Sequence, residues 1–196
     1  YFSGSYIHFI ETFGMVPKEI ASGNEISTIF TSMFLHGGFI HLIGNVWFLW
    51  IFGDNIEDLF GRAQFLFIYF GSGVVASLAH VALNPSSPIV TIGASGAIAG
   101  ILGAYIVKYP RAKVVTFLFI FLFFQIVKIP SFIFLGLWIG IQLITASFTA
   151  VAGVQVSVAY WAHIGGFAAG ALFAFILGTR INNSRKEITE KYFGIN

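Results

Sequence analysis

Long apolar stretches, separated by short clusters of charge and turn residues, make up most of the chain. Five of them, residues 37–52, 63–83, 94–108, 131–148 and 160–178, have the length and character of membrane helices. A hydrocarbon core of about 30 Å takes about 20 apolar residues in a helix, and fewer where the helix starts below the surface. A sixth apolar run, 114–127, is shorter, lies between Lys113 and Lys128, and is followed by Pro130. That pattern predicts an interfacial or re-entrant piece rather than a span. The expected architecture is therefore an all-α, polytopic helical bundle with five spans. Residues 1–35 read as an external loop and amphipathic segment with turn signals at Gly14, Pro17 and Gly23, residues 36–180 as the transmembrane domain, and 181–196 as a cytoplasmic tail.

Composition sets the solvent. Of 196 residues, 57% are hydrophobic and 9% charged, with a mean hydropathy of +0.88, whereas soluble domains carry about 25% charged residues. A net charge of +2 leaves no nucleic-acid footprint. The absence of cysteine excludes a disulfide framework, a thiol nucleophile and thiolate metal sites. The first residues carry neither a basic n-region nor a long apolar run, so no signal peptide is visible.

Charge placement gives an orientation. Five spans put Arg62; Lys108, Arg111, Lys113 and Lys128; and Arg180, Arg185, Lys186 and Lys191 on one side, leaving Lys18 alone on the other. By the positive-inside rule the basic side is cytoplasmic. The N-terminus then lies outside and the C-terminus inside, so a first span is expected to be missing before residue 1.

Polar groups within spans are costly and mark candidate sites. His41 and Asn45, four residues apart, share one helix face near the outer end of the first span. His163 lies just inside the outer end of the last span, and Ser95 opens a short helix that must begin well below the outer surface. All four converge at similar depth, and the loop before Ser95 dips into the membrane, which only protein or a water-filled cavity can accommodate. Taken singly, each has a structural explanation: His41 with Asn45 as an interhelical hydrogen-bonding pair, Ser95 and His163 as ordinary polar residues. His36 and His80 have no evident partner and read as structural or solvent-facing, and His8 is a loop residue.

The glycines make the combination specific. Gly96, Gly100 and Gly103 form a small-residue stripe, and His163, Gly166 and Gly170 present a matching face, so two helices can approach backbone to backbone. Such a crossing would hold Ser95 within reach of His163, as a nucleophile and its general base require. The helix N-terminus at Ser95, with the His41 and Asn45 side chains, would supply donors for an oxyanion. No acid completes a triad, because Asp54 and Glu57 lie near the opposite end of the first span. The prediction is a dyad, with His163 oriented by packing rather than by a carboxylate.

Other intramembrane chemistries fail on residue type. No His is followed by Glu, so the zinc-protease helix is absent and no metal is expected. Asp54 and Asp58 share one short connection and face no second carboxyl across the spans. Lys108 ends the helix that Ser95 begins, about 20 Å away. The serine is not in a G-x-S-x-G elbow.

These motifs together resemble the rhomboid family of intramembrane serine proteases over about residues 30–175. The matching motifs are His36-x4-His41-x3-Asn45, Trp50-Ile-Phe-Gly-Asp-Asn-Ile-Glu57 with Gly61, Gly93-Ala-Ser95-Gly, and Ala162-His163-Ile-Gly-Gly166-x3-Gly170. Gly136-Leu-Trp138 and Gln142 are similar to prokaryotic members. The resemblance implies Ser95 as nucleophile, His163 as base, His41 and Asn45 in the oxyanion hole, and no metal or organic cofactor. It implies a six-span core, a transmembrane protein as substrate cleaved near its outer end, and a prokaryotic cell-membrane location. Some members carry Tyr four residues after the nucleophile, stacked on the histidine; here that residue is Ala99, so His163 must be positioned otherwise. The competing class is a non-catalytic membrane protein, either one binding transmembrane helices or a small transporter, though the spans below Asn45 and Ser95 are nearly all apolar.

Overall fold

A computed structural model describes residues 4–120, 123–154 and 158–177. In chain order the elements are α1 (Gly4–Phe13), α2 (Pro17–Ala21), α3 (Thr28–Thr31, continued by a 3-10 turn at Ser32–Phe34), α4 (Phe39–Phe60), α5 (Arg62–Leu83), α6 (Ser95–Lys108), β1 (Lys113–Ile120), β2 (Phe123–Pro130), α7 (Ser131–Ala152) and α8 (Tyr160–Ile176). Helices α4, α5 and α7 each have 22 residues and are apolar enough to cross a membrane, about 33 Å at helical rise. The shorter apolar helices α6 and α8 have 14 and 17 residues. The protein is a multi-pass helical membrane bundle.

Breaks in the backbone delimit these helices. Gly61, at φ 80, separates α4 from α5, in a conformation that favours glycine. Pro130 precedes α7, and Gly153, in the left-handed region at φ 64, ends it. Helix α4 runs beyond the apolar stretch 37–52 to Phe60, because its polar last turns continue the helical hydrogen bonding past the lipid-like residues. There Glu57 pairs with Arg62 across the Gly61 bend at 3.4 Å, and Tyr109 donates to the carbonyl of Asn55.

Helix α6 is the axis of the bundle. Every residue from Ala97 to Tyr105 is buried, enclosed by α4, α5, α7 and above all α8. Where lipid tails are as apolar as leucine, helix association depends on close packing and interhelical hydrogen bonds. Near the Lys108 end, Phe52, Ile56, Phe60, Ile68, Ile101, Leu102 and Leu135 form the main core, with the Phe52 and Tyr105 rings edge to face at 4.9 Å. At the other end the glycine stripes interlock. A Cβ on Gly166 or Gly170 would collide with the backbone of Gly96 or Gly100, and one on Gly103 with the backbone of Phe167.

Two regions gain structure that the sequence reading left open. The segment read as an external loop and amphipathic segment folds into α1–α3 and a satellite core of Met15, Ile20 and Ile29 against Val81 of α5. The all-α expectation has one exception: β1 and β2 form a two-stranded antiparallel hairpin where 114–127 had no assigned structure. Alternating β-branched and aromatic residues favour extended backbone there, and Pro130 ends it. Arg180 and the predicted tail 181–196, with Arg185, Lys186 and Lys191, lie outside the described residues.

Candidate active site

Ser95 is the first residue of α6 and reaches its position through the unusual backbone of Gly93. That glycine has φ 126, a conformation L side chains rarely adopt, and a Cβ there would lie 2.9 Å from the His41 ring and 3.8 Å from Asn45 Nδ2. Its N–H donates to Ser32 O at 2.9 Å. The preceding loop is strapped to the N-terminal segment: Met15 and Thr91 exchange two backbone hydrogen bonds of 3.0 and 2.7 Å, and the Lys18 N–H donates to Ser87 O at 3.1 Å.

The interlocked α6–α8 crossing sets His163 against Ser95. Ser95 Oγ lies 2.8 Å from His163 Nε2. On the far side of the ring, His163 Nδ1 lies 2.8 Å from Gln142 Oε1 of α7. An amide oxygen only accepts, so Nδ1 carries the proton and Nε2 is left as the acceptor for the serine hydroxyl. Both ring nitrogens are thereby engaged. One helical turn before Gln142, the Trp138 indole lies against the imidazole at a centroid distance of 5.8 Å and 37° between planes.

The expectation of packing rather than a carboxylate behind His163 thereby gains its particulars. A side-chain amide fixes the tautomer, and the aromatic neighbour comes from α7, while Ala99 is wholly buried in α6. Gln142 and Trp138 stood out in the sequence only as family-like residues. A stronger signal was present: Gln142 carries the one carboxamide of α7, whose Ser131, Thr145, Ser147 and Thr149 offer only hydroxyls, and it is in phase with Trp138 at i, i+4.

His41 and Asn45 face Gly93 from α4. The Gly37 N–H donates to His41 Nδ1 at 3.2 Å, so the proton of a neutral His41 sits on Nε2, on the edge turned toward Gly93. Asn45 Nδ2 is buried and, among the described residues, has no hydrogen-bond partner. A buried amide donor without a partner is costly; beside Gly93 and in the cavity that Ser95 also lines, it suits a ligand oxygen. The first N–H groups of α6 add further donors, since a helix N-terminus leaves them unpaired.

His41, Asn45, Gly93, Ser95, Trp138 and His163 line one cavity of about 720 Å³. His36, left without a partner by the sequence, packs edge-on against His41 at 5.2 Å, and its carbonyl accepts from the Tyr6 hydroxyl. Desolvation, followed by the nearby His41, lowers the His36 pKa from its ordinary 6.5. His80 instead neighbours Asn84, whose Nδ2 lies 3.3 Å from its Nδ1. Among the described residues no group of three His, Asp or Glu side chains could hold a metal ion. The chemistry within reach is acyl transfer: a hydroxyl hydrogen-bonded to an oriented imidazole, with donors beside it.

Comparison with known proteins gives the family. The family model described as Rhomboid domain matches residues 23–180. Rhomboid protein 1, mitochondrial, of Saccharomyces cerevisiae is 27% identical over 183 residues, which is 91% of this chain and 49% of the yeast protein. RHOMBOID-like protein 6, mitochondrial, of Arabidopsis thaliana is 32% identical over 160 residues, 82% of this chain and 46% of that protein. Rhomboid protease GluP of Bacillus subtilis is 37% identical over 92 residues, 47% of this chain and 18% of that protein. The matched region is thus about half the length of these relatives or less.

Proposed function

Because the chain belongs to the rhomboid family, we propose that it is an intramembrane serine endopeptidase acting on transmembrane segments of other membrane proteins. Ser95 is the nucleophile and His163 the general base. The observation that carries this reading is the hydrogen bond of 2.8 Å between Ser95 Oγ and His163 Nε2, with the opposite ring nitrogen held by Gln142.

The steps follow from the geometry. As Oγ attacks the scissile carbonyl carbon, its proton passes to His163 Nε2, and the carbonyl oxygen gains negative charge. Asn45 Nδ2, the His41 Nε2–H and the Ser95 N–H are the donors for that oxyanion. His163 then returns the proton to the leaving amine as the C–N bond breaks. Water repeats the sequence on the acyl-enzyme: its proton goes to Nε2, its oxygen attacks the ester carbon, and Ser95 recovers its hydrogen. Gln142 acts through His163 as a positioning residue, accepting from Nδ1–H throughout.

A membrane helix hides its amides in its own hydrogen bonds. Small or helix-breaking residues near the end of the substrate span therefore ease unwinding into the cavity. In this reading the Arg62 and Lys108 end of the bundle faces the cytoplasm, as the positive-inside rule favours, and the cavity opens to the opposite side.

The test is cleavage of a transmembrane reporter in vesicles, together with labelling by a serine-directed fluorescent phosphonate. Ser95→Ala and His163→Ala are each expected to abolish both, in a protein that still folds. Cleavage retained by folded Ser95→Ala refutes the proposal. A well-folded wild type that neither labels nor cleaves favours a helix-binding protein without catalysis.

A further inference from the structure

The β1–β2 hairpin takes no part in the site. Its root is tied to the bundle: the Ser131 N–H donates to Ala112 O at 2.8 Å, the Phe132 N–H to Pro110 O at 3.1 Å, and the Ser131 hydroxyl to Tyr109 O. Val114 packs on the main core. One face of the hairpin is left uncovered. Val115, Phe117, Phe119, Phe124 and Ile126 point outward and are 63–71% exposed, with the Phe117 and Phe124 rings stacked at 6.2 Å. The same face carries Lys113 and Lys128, both exposed, at the root, next to exposed Arg111.

We propose that this face is a docking surface for anionic phospholipid. The hairpin lies on the leaflet at the Lys108 end of the bundle, its aromatic row in the acyl boundary and Lys113, Lys128 and Arg111 on headgroup phosphates. Two physical constraints lead there. Among the described residues the sheet has two strands, so each strand has an open edge, and hydrocarbon does not tolerate unpaired backbone groups. The hairpin therefore does not cross the bilayer. Water, for its part, does not suit five contiguous apolar side chains on one rigid face. At the interface, edge N–H and C=O groups reach water and headgroups while the aromatic rings are covered. Lysine stems run along the apolar surface and lift their ammonium groups to the phosphates. The cluster of three cations selects acidic over zwitterionic lipid.

The chain has no cysteine, so a single introduced one reports cleanly. The 196-residue chain with Phe119→Cys, carrying a nitroxide label, is reconstituted in vesicles of phosphatidylcholine alone or mixed equally with phosphatidylglycerol. Its accessibility to oxygen and to a water-soluble nickel complex is then measured. The expected result is a label shielded from nickel and open to oxygen in the acidic vesicles, and shifted toward nickel access in the neutral ones. Lys113→Gln and Lys128→Gln are each expected to lower the inserted-to-free ratio about fivefold. Three results overturn the proposal: nickel access in both lipids, equal insertion in both lipids with no effect of the lysine changes, or spin–spin broadening that marks a second copy on the face. Circular dichroism of each variant controls for folding.

Discussion

Replacing Gln142 by leucine isolates the contribution of the amide behind His163. The change keeps the size of a buried side chain, 9% exposed, and removes the acceptor that sits 2.8 Å from Nδ1. In the resting protein this strands a buried donor, at a cost of about 1–3 kcal/mol. The effect on rate falls in the transition state, where the imidazole gains a proton and the Nδ1–H bond becomes charge-assisted. A neutral bond contributes about 0.5–1.5 kcal/mol and a charge-assisted one about 1.5–3 kcal/mol, so the difference, about 1–1.5 kcal/mol, lowers kcat about 5- to 13-fold. KM changes little, because Gln142 sits behind the imidazole, on the side away from Ser95. Gln142→Glu restores an acceptor and is expected to recover most of the rate. Initial rates on a transmembrane reporter in vesicles, over a range of reporter density, separate kcat from KM. A folded Gln142→Leu protein with kcat within about twofold of wild type would show that the tautomer is fixed by something else.

Three further outcomes follow from other parts of the structure. Asn45→Ala removes the buried, unpartnered donor and is expected to lower kcat about a hundred- to a thousandfold; a fall below about threefold in the vesicle assay excludes it as an oxyanion donor. Gly170→Val would drive a side chain into the Gly100 backbone, and overpacking of this kind costs at least about 1–3 kcal/mol. Its thermal unfolding midpoint in detergent should drop together with activity, and an unchanged midpoint argues against the close crossing. His36 has its pKa lowered by burial and by His41, so the unfolded chain binds the proton more readily than the folded one. Its contribution to stability is therefore intact above pH 6.5 and is lost as pH falls below that value. The unfolding midpoint should decline less on acidification in His36→Gln than in wild type, and identical profiles would contradict the assignment.

The helices, and the meeting of Ser95 with His163, were legible because both depend on signals that survive without tertiary knowledge. Apolar length marks the spans, and glycines at helical spacing mark where two helices can touch, which points the intervening imidazole. His41 and Asn45 were legible for the same reason, as polar residues in phase on one face. Gln142 was not assigned a role because a lone amide in a span has no partner within its own helix. Its meaning depends on how α7 is rotated against α8, which no local pattern encodes. The hairpin was missed because a short apolar run satisfies helix and strand alike, and the pairing of Val115 with Lys128 is settled only once both strands exist. The segment before residue 35 reads as amphipathic and turn-rich, so its packing through Met15, Ile20 and Ile29 depends on which of its many apolar residues turn toward Val81, which composition cannot single out.

The reciprocal backbone bonds between Met15 and Thr91 make the rim of the cavity mechanically continuous. Thr91 is four residues ahead of the serine, and Ser32, which holds Gly93, follows directly on α3. A pull on the N-terminal segment therefore reaches the nucleophile through two independent tethers, without passing through the helical scaffold beneath. Proteolytic nicking between Met15 and Thr28 would leave the bundle standing while cutting the link between those tethers, and the loop over the serine would lose its stiffness first.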